Sequence, residues 1–183
     1  MSDLVIDGAR VRLRAMRAGE VERFRAWAAA TPWWYGTGRV PDADAFLAEW
    51  GAHAFEGPAT ERGRVFVIEE KGEAAGAIAY NDIHPVHRAC ELEIVLNEAH
   101  TGKGCGPDAL RALSDWLFAS MDVHRVYAMP HADNPRAHRA YEKAGFTREG
   151  LLREAERFDG AFVDDVLYAR VRSGGESEIQ PKQ

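Results

Sequence analysis

The spacing of apolar residues changes several times along the chain, and each change predicts an element. "LVIDGARVRLRAM" alternates apolar and polar positions around a Gly and predicts an opening strand or hairpin. "AGEVERFRAWAAA" sets Val21, Phe24 and Trp27 at helical spacing. A Gly- and Pro-containing break, "TPWWYGTGRVP", follows, and "DADAFLAEWGAHAF" restarts a helix with Phe46, Leu47 and Trp50 on one face. "RVFVIEE" and "EAAGAIAYNDI" predict a hairpin turning at Lys71-Gly72. "CELEIVLN" alternates cleanly, with Leu92, Ile94 and Leu96 on one face and Glu91, Glu93 and Val95 on the other. "PDALRALSDWLFASM" carries the helical stripe Leu110, Leu113, Trp116 and Leu117. After a strand, "HRVYAMP", a short helix "NPRAHRAYEKAGF" is closed by Gly145. "REGLLREAERFDGAFVDDVLYARVR" predicts a closing hairpin turning at Asp159-Gly160. Residues 173–183 form a polar tail expected to be disordered. The mixture of strands and helices, without repeat or linker, predicts one domain of α/β (α+β) class over residues 1–172.

Composition narrows the function. The 183 residues suit a single domain with a full core. A formal net charge of -6 argues against a nucleic-acid partner and is compatible with a cationic small substrate. Cys90 and Cys105 are too few for a disulfide framework or a zinc motif, and His84 and His87 read as loop histidines, so no metal is expected. The first residues carry no signal-peptide pattern and no run is long and apolar enough to span a bilayer. A cytoplasmic location without a membrane partner is the expectation.

The stretch "HTGKGCGPDAL" places Gly102, Gly104 and Gly106 where a strand meets a helix. Successive backbone N–H groups at a helix N-terminus make an anion site, and glycine permits close approach. The nucleotide P-loop pattern fails, because Lys103 lies between glycines with no Ser or Thr after it. The dinucleotide fingerprint fails as well, because the spacing is G-x-G-x-G. Taken alone, the glycines read equally as a phosphate cradle or as a tight turn.

About thirty residues on comes "NPRAHRAYEKAGF". Together the two stretches resemble the GNAT superfamily of N-acetyltransferases, whose cofactor loop reads Gln/Arg-x-x-Gly-x-Gly/Ala. Its later helix often reads Asn-x-x-Ala-x-x-x-Tyr-Glu-Lys-x-Gly-Phe. Gly104 and Gly106 match the first; Asn134, Ala137, Tyr141, Glu142, Lys143, Gly145 and Phe146 match the second. "CELEIVLNEAH" and "LLREAERFDGAFVDDVLYA" look most like the branch of ribosomal-protein N-terminal and spermidine acetyltransferases. Thr101 departs from the pattern, where the family usually has Gln or Arg, and weaker cofactor affinity is expected from it.

The resemblance implies a mixed, mostly antiparallel sheet flanked by helices, and acetyl transfer from acetyl-CoA to an amine in a ternary complex. The acceptor is a protein N-terminus, a polyamine or an aminoglycoside-like amine. The loop Gly102, Lys103, Gly104, Cys105 and Gly106 would hold the pyrophosphate. A splayed strand at Ile94, Val95 and Leu96 would hold the pantetheine arm, with Asn134 on its other side. Tyr141 matches the family's acid for the departing thiolate, although a core aromatic is the other reading of it.

An alkylamine is mostly protonated at pH 7, so a proton route is also needed. Glu91, then Glu93, are the candidates, two carboxylates on one strand face; a water chain is the alternative. Trp33, Trp34 and Tyr35 lie in the loop where the family has its acceptor site; they line it or plug the core below. Tyr80 is a further candidate for that cavity. A homodimer through the closing hairpin is expected by analogy. A non-catalytic acetyl-CoA sensor or interaction module is the alternative function.

Overall fold

The computed structural model describes residues 4–30, 59–158 and 160–173. The second expected helix, the loop of Trp33, Trp34 and Tyr35, Asp159 and the polar tail from residue 174 lie outside them. Eight strands form one sheet in the order β1-β2-β3-β4-β5-β6-β8-β7. They are β1 (Ile6–Asp7), β2 (Arg12–Arg14), β3 (Gly63–Glu70), β4 (Glu73–Asn81), β5 (Ala89–Leu96), β6 (Arg125–Ala128), β7 (Thr147–Phe158) and β8 (Ala161–Val171). Among the described residues only β5 and β6 run parallel; every other neighbouring pair is antiparallel. The described helices are α1 (Val21–Ala30), α2 (Cys105–Ser120) and α3 (Pro135–Lys143). The expected mixed, mostly antiparallel sheet flanked by helices is what forms.

Local chemistry accounts for the turns. Lys71 and Gly72 both have positive φ, 52° and 85°, as a tight two-residue hairpin requires, and Glu70 pairs with Glu73 across it. Buried Leu110, Leu113 and Leu117 of α2 pack on Phe66 and Ile68 of β3, Ile78 and Tyr80 of β4, and Leu92 of β5. By strand alternation Val67 and Ala77 point to the opposite face and are buried too, so this part of the sheet is covered on both sides.

The helix after the glycines begins at Cys105, two residues before the expected start at Pro107, because Gly104 takes a left-handed conformation (φ 90°) as its N-cap. Asp108, in the first turn, accepts hydrogen bonds from the backbone N–H groups of Ala9, Arg10 and Val11 at 3.2, 2.7 and 3.0 Å. This buried carboxylate latches the β1–β2 turn to α2. Asp108→Ala leaves those donors without their acceptor and is expected to lower unfolding free energy by about 3 kcal/mol. Urea denaturation measures it.

Candidate active site

β5 and β6 pair only at Ala89↔Arg125, Cys90↔Val126 and Glu91↔Tyr127. β5 continues to Leu96 while held by β4 alone, from Asn81↔Glu91 to Gly76↔Leu96. Beyond Glu91 the two strands therefore part, and the β6-facing edge of β5 has no strand partner among the described residues. Ile94, Val95 and Leu96 lie along this opening. A parallel ladder abandoned midway leaves backbone groups that a ligand can satisfy.

α2 and α3 meet beside the gap. Gly106 lies at this contact. A Cβ there would meet Leu96 Cδ1 at 3.4 Å and Ala140 Cβ at 3.9 Å, ordinary van der Waals distances. Two of the three glycines have a local reason: Gly102 and Gly104 need positive φ (73° and 90°), whereas nothing in the packing around Gly106 demands glycine. Pro135 opens α3, and the Asn134 side-chain oxygen caps it by accepting from Ala137 N at 3.1 Å. That cap engages Oδ1 in the helix and leaves Nδ2 as the side chain's donor.

The far end of α3 sets Tyr141. Phe146 N donates to Tyr141 O and Gly145 N to Glu142 O, each at 3.0 Å, with Gly145 at φ 88°. This is a Schellman closure, and its expected hydrophobic contact is Phe146 edge-on to Tyr141 at 5.3 Å. Tyr168 of β8 stacks on Tyr141 at 5.7 Å, and its own hydroxyl donates to Glu142 at 3.2 Å. Tyr141 is buried, and among the described residues its hydroxyl makes no hydrogen bond. Burial, then the charges of Glu91 and Glu93, push its phenol well above the ordinary tyrosine value. It stays protonated at neutral pH. Gly145→Ala puts a side chain on a left-handed residue and is expected to cost about 1–2 kcal/mol in a thermal or urea melt.

Glu91 and Glu93 share the β5 face opposite Leu92. Asn81 Nδ2 donates to exposed Glu93 at 2.8 Å. Glu91 is half-buried; burial first, then Glu93, Asp165 and Glu156, raise its carboxyl to about 7. Sequence reasoning missed the last two. His131 follows β6, bridges to Asp165 of β8, and its Nε2 lies 2.9 Å from Glu156 Oε2 of β7. Asp165 is buried, its Oδ1 has no hydrogen-bond partner, and burial raises its carboxyl. The acidic doublet Asp164-Asp165 between the apolar runs 161–163 and 166–169 was the available signal.

Tyr80 is a correction. Its strand position pairs with Leu92 and faces the core, and its hydroxyl donates to the Thr60 carbonyl at 2.7 Å. It is a fully buried core residue, across the sheet from Glu91 and Glu93. Cys105 is buried, and burial with Glu70 beside it raises its thiol to about 11, unlike a nucleophile. His84 Nδ1 accepts from the backbone of Val86 and His87 at 3.2 and 3.1 Å, as a turn residue does.

Curated relatives resemble this chain in sequence, and solved structures resemble it in fold. The chain is 33% identical over 108 residues to a ribosomal-protein-serine acetyltransferase of Escherichia coli, covering 59% of this chain and 60% of the relative. It is 30% identical over 102 residues to a spermidine N(1)-acetyltransferase of Vibrio cholerae, covering 55% and 59%. The chain thus spans about 60% of the length of these relatives. A spermidine N-acetyltransferase of Vibrio cholerae, solved with CoA and spermine, shares the fold with a TM-score of 0.78. It is 23% identical, and the match covers 90% of this chain and 97% of that one. The model of the acetyltransferase (GNAT) domain matches residues 10–147, and the chain belongs to that family.

Proposed function

We propose that this chain transfers the acetyl group of acetyl-CoA to an amine held at the β5–β6 gap. The observation that carries this reading is the β5–β6 gap, which opens just past the last pair, Glu91↔Tyr127, with Glu91 at its start and buried Tyr141 close enough to feel that carboxylate; burial raises the Glu91 carboxyl and holds the Tyr141 phenol protonated. A base near neutrality and an acid that keeps its proton are the two groups direct transfer needs. Backbone N–H groups of Gly102, Lys103, Gly104, Cys105 and Gly106 cradle the pyrophosphate at the start of α2. The open edge at Ile94, Val95 and Leu96, with Asn134 Nδ2 opposite, takes the pantetheine arm. Glu91, or Glu93 through water, accepts the proton of the ammonium. The neutral amine attacks the thioester carbon, the tetrahedral oxyanion collapses with cleavage of the C–S bond, Tyr141 gives its proton to the leaving thiolate, and the second proton shed by the attacking nitrogen restores Tyr141.

The acceptor side carries Glu91, Glu93, Glu156 and Asp165, so an acceptor with more than one amino group fits best. A protein N-terminus offers one cation, whereas a polyamine or an amino sugar leaves a second ammonium for Asp165 and Glu156. A cytoplasmic location and a homodimer through the β7–β8 hairpin belong to the same reading; Leu151 and Phe162 are exposed there. Thiol release from acetyl-CoA with a panel of spermidine, an aminoglycoside and short peptides tests the activity. Turnover with the polyamine or amino sugar in preference to the peptides is expected. Acetyl-CoA binding without turnover on any acceptor would favour a sensor.

A further inference from the structure

Among the described residues, two clusters bring three metal-ligating side chains together. His131, Glu156 and Asp165 belong to the acidic end of the gap. The second cluster lies at the other end of β4, and none of its side chains takes part in the proposed transfer, which uses only the backbone of Cys105. Glu70 ends β3, His100 closes the short 3-10 turn Glu98–His100, and Cys105 opens α2. One donor atom from each lies within 4.8 Å of the other two.

We propose that Glu70, His100 and Cys105 form a binding site for one divalent transition-metal ion of the zinc class. A thiolate, an imidazole and a carboxylate are the mixed donors such ions select, whereas magnesium and calcium prefer oxygen throughout. His100 Nδ1 lies 3.1 Å from Glu70 Oε2. Two ligand atoms on a tetrahedral ion with bonds of about 2.1 Å sit about 3.4 Å apart, so the His100–Glu70 pair is already close to that spacing, and Cys105 Sγ lies within 4.8 Å of both. Arg10 Nη1 donates to the other oxygen, Glu70 Oε1, at 3.3 Å. It therefore orients the carboxylate from outside and leaves Oε2 for the ion. Binding replaces the Cys105 S–H bond with a sulfur–metal bond and releases the proton to solvent. Thiolate and carboxylate then cancel the ion's two charges, although Arg10, Lys71 and Lys103 stand close by.

Access supports the same reading. Cys105 is fully buried, but His100 and Glu70 line a cavity of about 600 Å³ shared with Arg10, Lys71, Glu73 and Lys103. It leaves room for water as a fourth ligand. Cys105 sits between Gly104 and Gly106, so the ion would pin the glycine loop to the end of β3.

Cobalt(II) is the probe, titrated into the reduced, untagged full chain. The expected result is one equivalent bound, with a thiolate-to-cobalt charge-transfer band in the near ultraviolet that zinc displaces. Cys90→Ser leaves Cys105 as the single thiol and keeps the band; Cys105→Ser loses it. His100→Ala weakens cobalt binding by ~10-fold or more. Absence of the band in the wild type overturns the proposal, as does a band that survives Cys105→Ser. Unchanged affinity in His100→Ala does the same. If Cys105→Ser does not fold, Cys90→Ser and His100→Ala decide. None of these readouts involves acetyl transfer, so the metal site and the proposed activity stand or fall separately.

Discussion

Tyr141→Phe is expected to lower kcat by ~10²–10³-fold while acetyl-CoA affinity stays within about twofold, because the variant removes only the proton donor. The ring should keep its place. Its packing is supplied by Tyr168 at 5.7 Å and Phe146 at 5.3 Å, and the backbone closure at Gly145 does not depend on the hydroxyl. Loss of the hydroxyl removes a donor that makes no hydrogen bond to a described residue, so stability should change little. Steady-state thiol release gives kcat, and calorimetric titration with acetyl-CoA gives affinity. Turnover within twofold of wild type would return Tyr141 to the role of a core aromatic and leave the thiolate to take its proton from water.

Glu91→Gln is expected to cost ~10²-fold in kcat/KM at neutral pH and to reshape two pH profiles. The carboxylate is the working form, so wild-type kcat/KM rises as pH increases through about 7. The Gln variant has no such group and keeps only the rise set by the acceptor's own ammonium, at much higher pH. Stability runs the opposite way. The folded carboxyl titrates above its ordinary 4.5, so the neutral form is the one the fold prefers. That preference is fully present below about 4.5 and is lost as pH rises through about 7. Wild type therefore loses stability as pH rises from about 4.5 through about 7, and Glu91→Gln, neutral throughout, loses less. A variant less active yet more stable at pH 8 than wild type is the combined signature. Thermal melts across the pH range read the second half. An unchanged pH–rate profile in the variant would move the base to Glu93 or to water.

Much of this site could be read from residue order because it rests on short-range periodicity. A strand's period of two puts Glu91 and Glu93 together and away from Leu92 before any partner strand is known. The Lys71-Gly72 turn and the Gly145 closure follow from positive φ at single residues. What escaped depends on pairings between distant segments. Tyr80 could have faced either side of the sheet. Its hydroxyl is satisfied by the Thr60 carbonyl, a partner 20 residues away with no sequence signature. His131, Glu156 and Asp165 come from three elements, and register shifts between Leu152 and Glu156 help set which β7 residues meet β8. Alternation within one strand cannot supply that register. The start of α2 at Cys105 was displaced by the left-handed Gly104, which ends the loop earlier than Pro107 suggested.

The Asp108 latch has a consequence for the order of assembly. It joins residues separated by 97 to 99 positions, so it closes a loop of more than half the 183-residue chain. Loop-closure entropy makes such a contact expensive until most of the intervening chain is already compact. The β3–β4 hairpin and the body of α2 close short loops and can form early. The first turn of α2, which bears the glycine loop, is completed only when the N-terminal hairpin docks on it. Native-state hydrogen exchange should therefore find the amides of Ala9 to Val11 opening together with those around Gly104. The proposed seat of acetyl-CoA on one side of that turn predicts that the ligand slows exchange on the hairpin that grips the other.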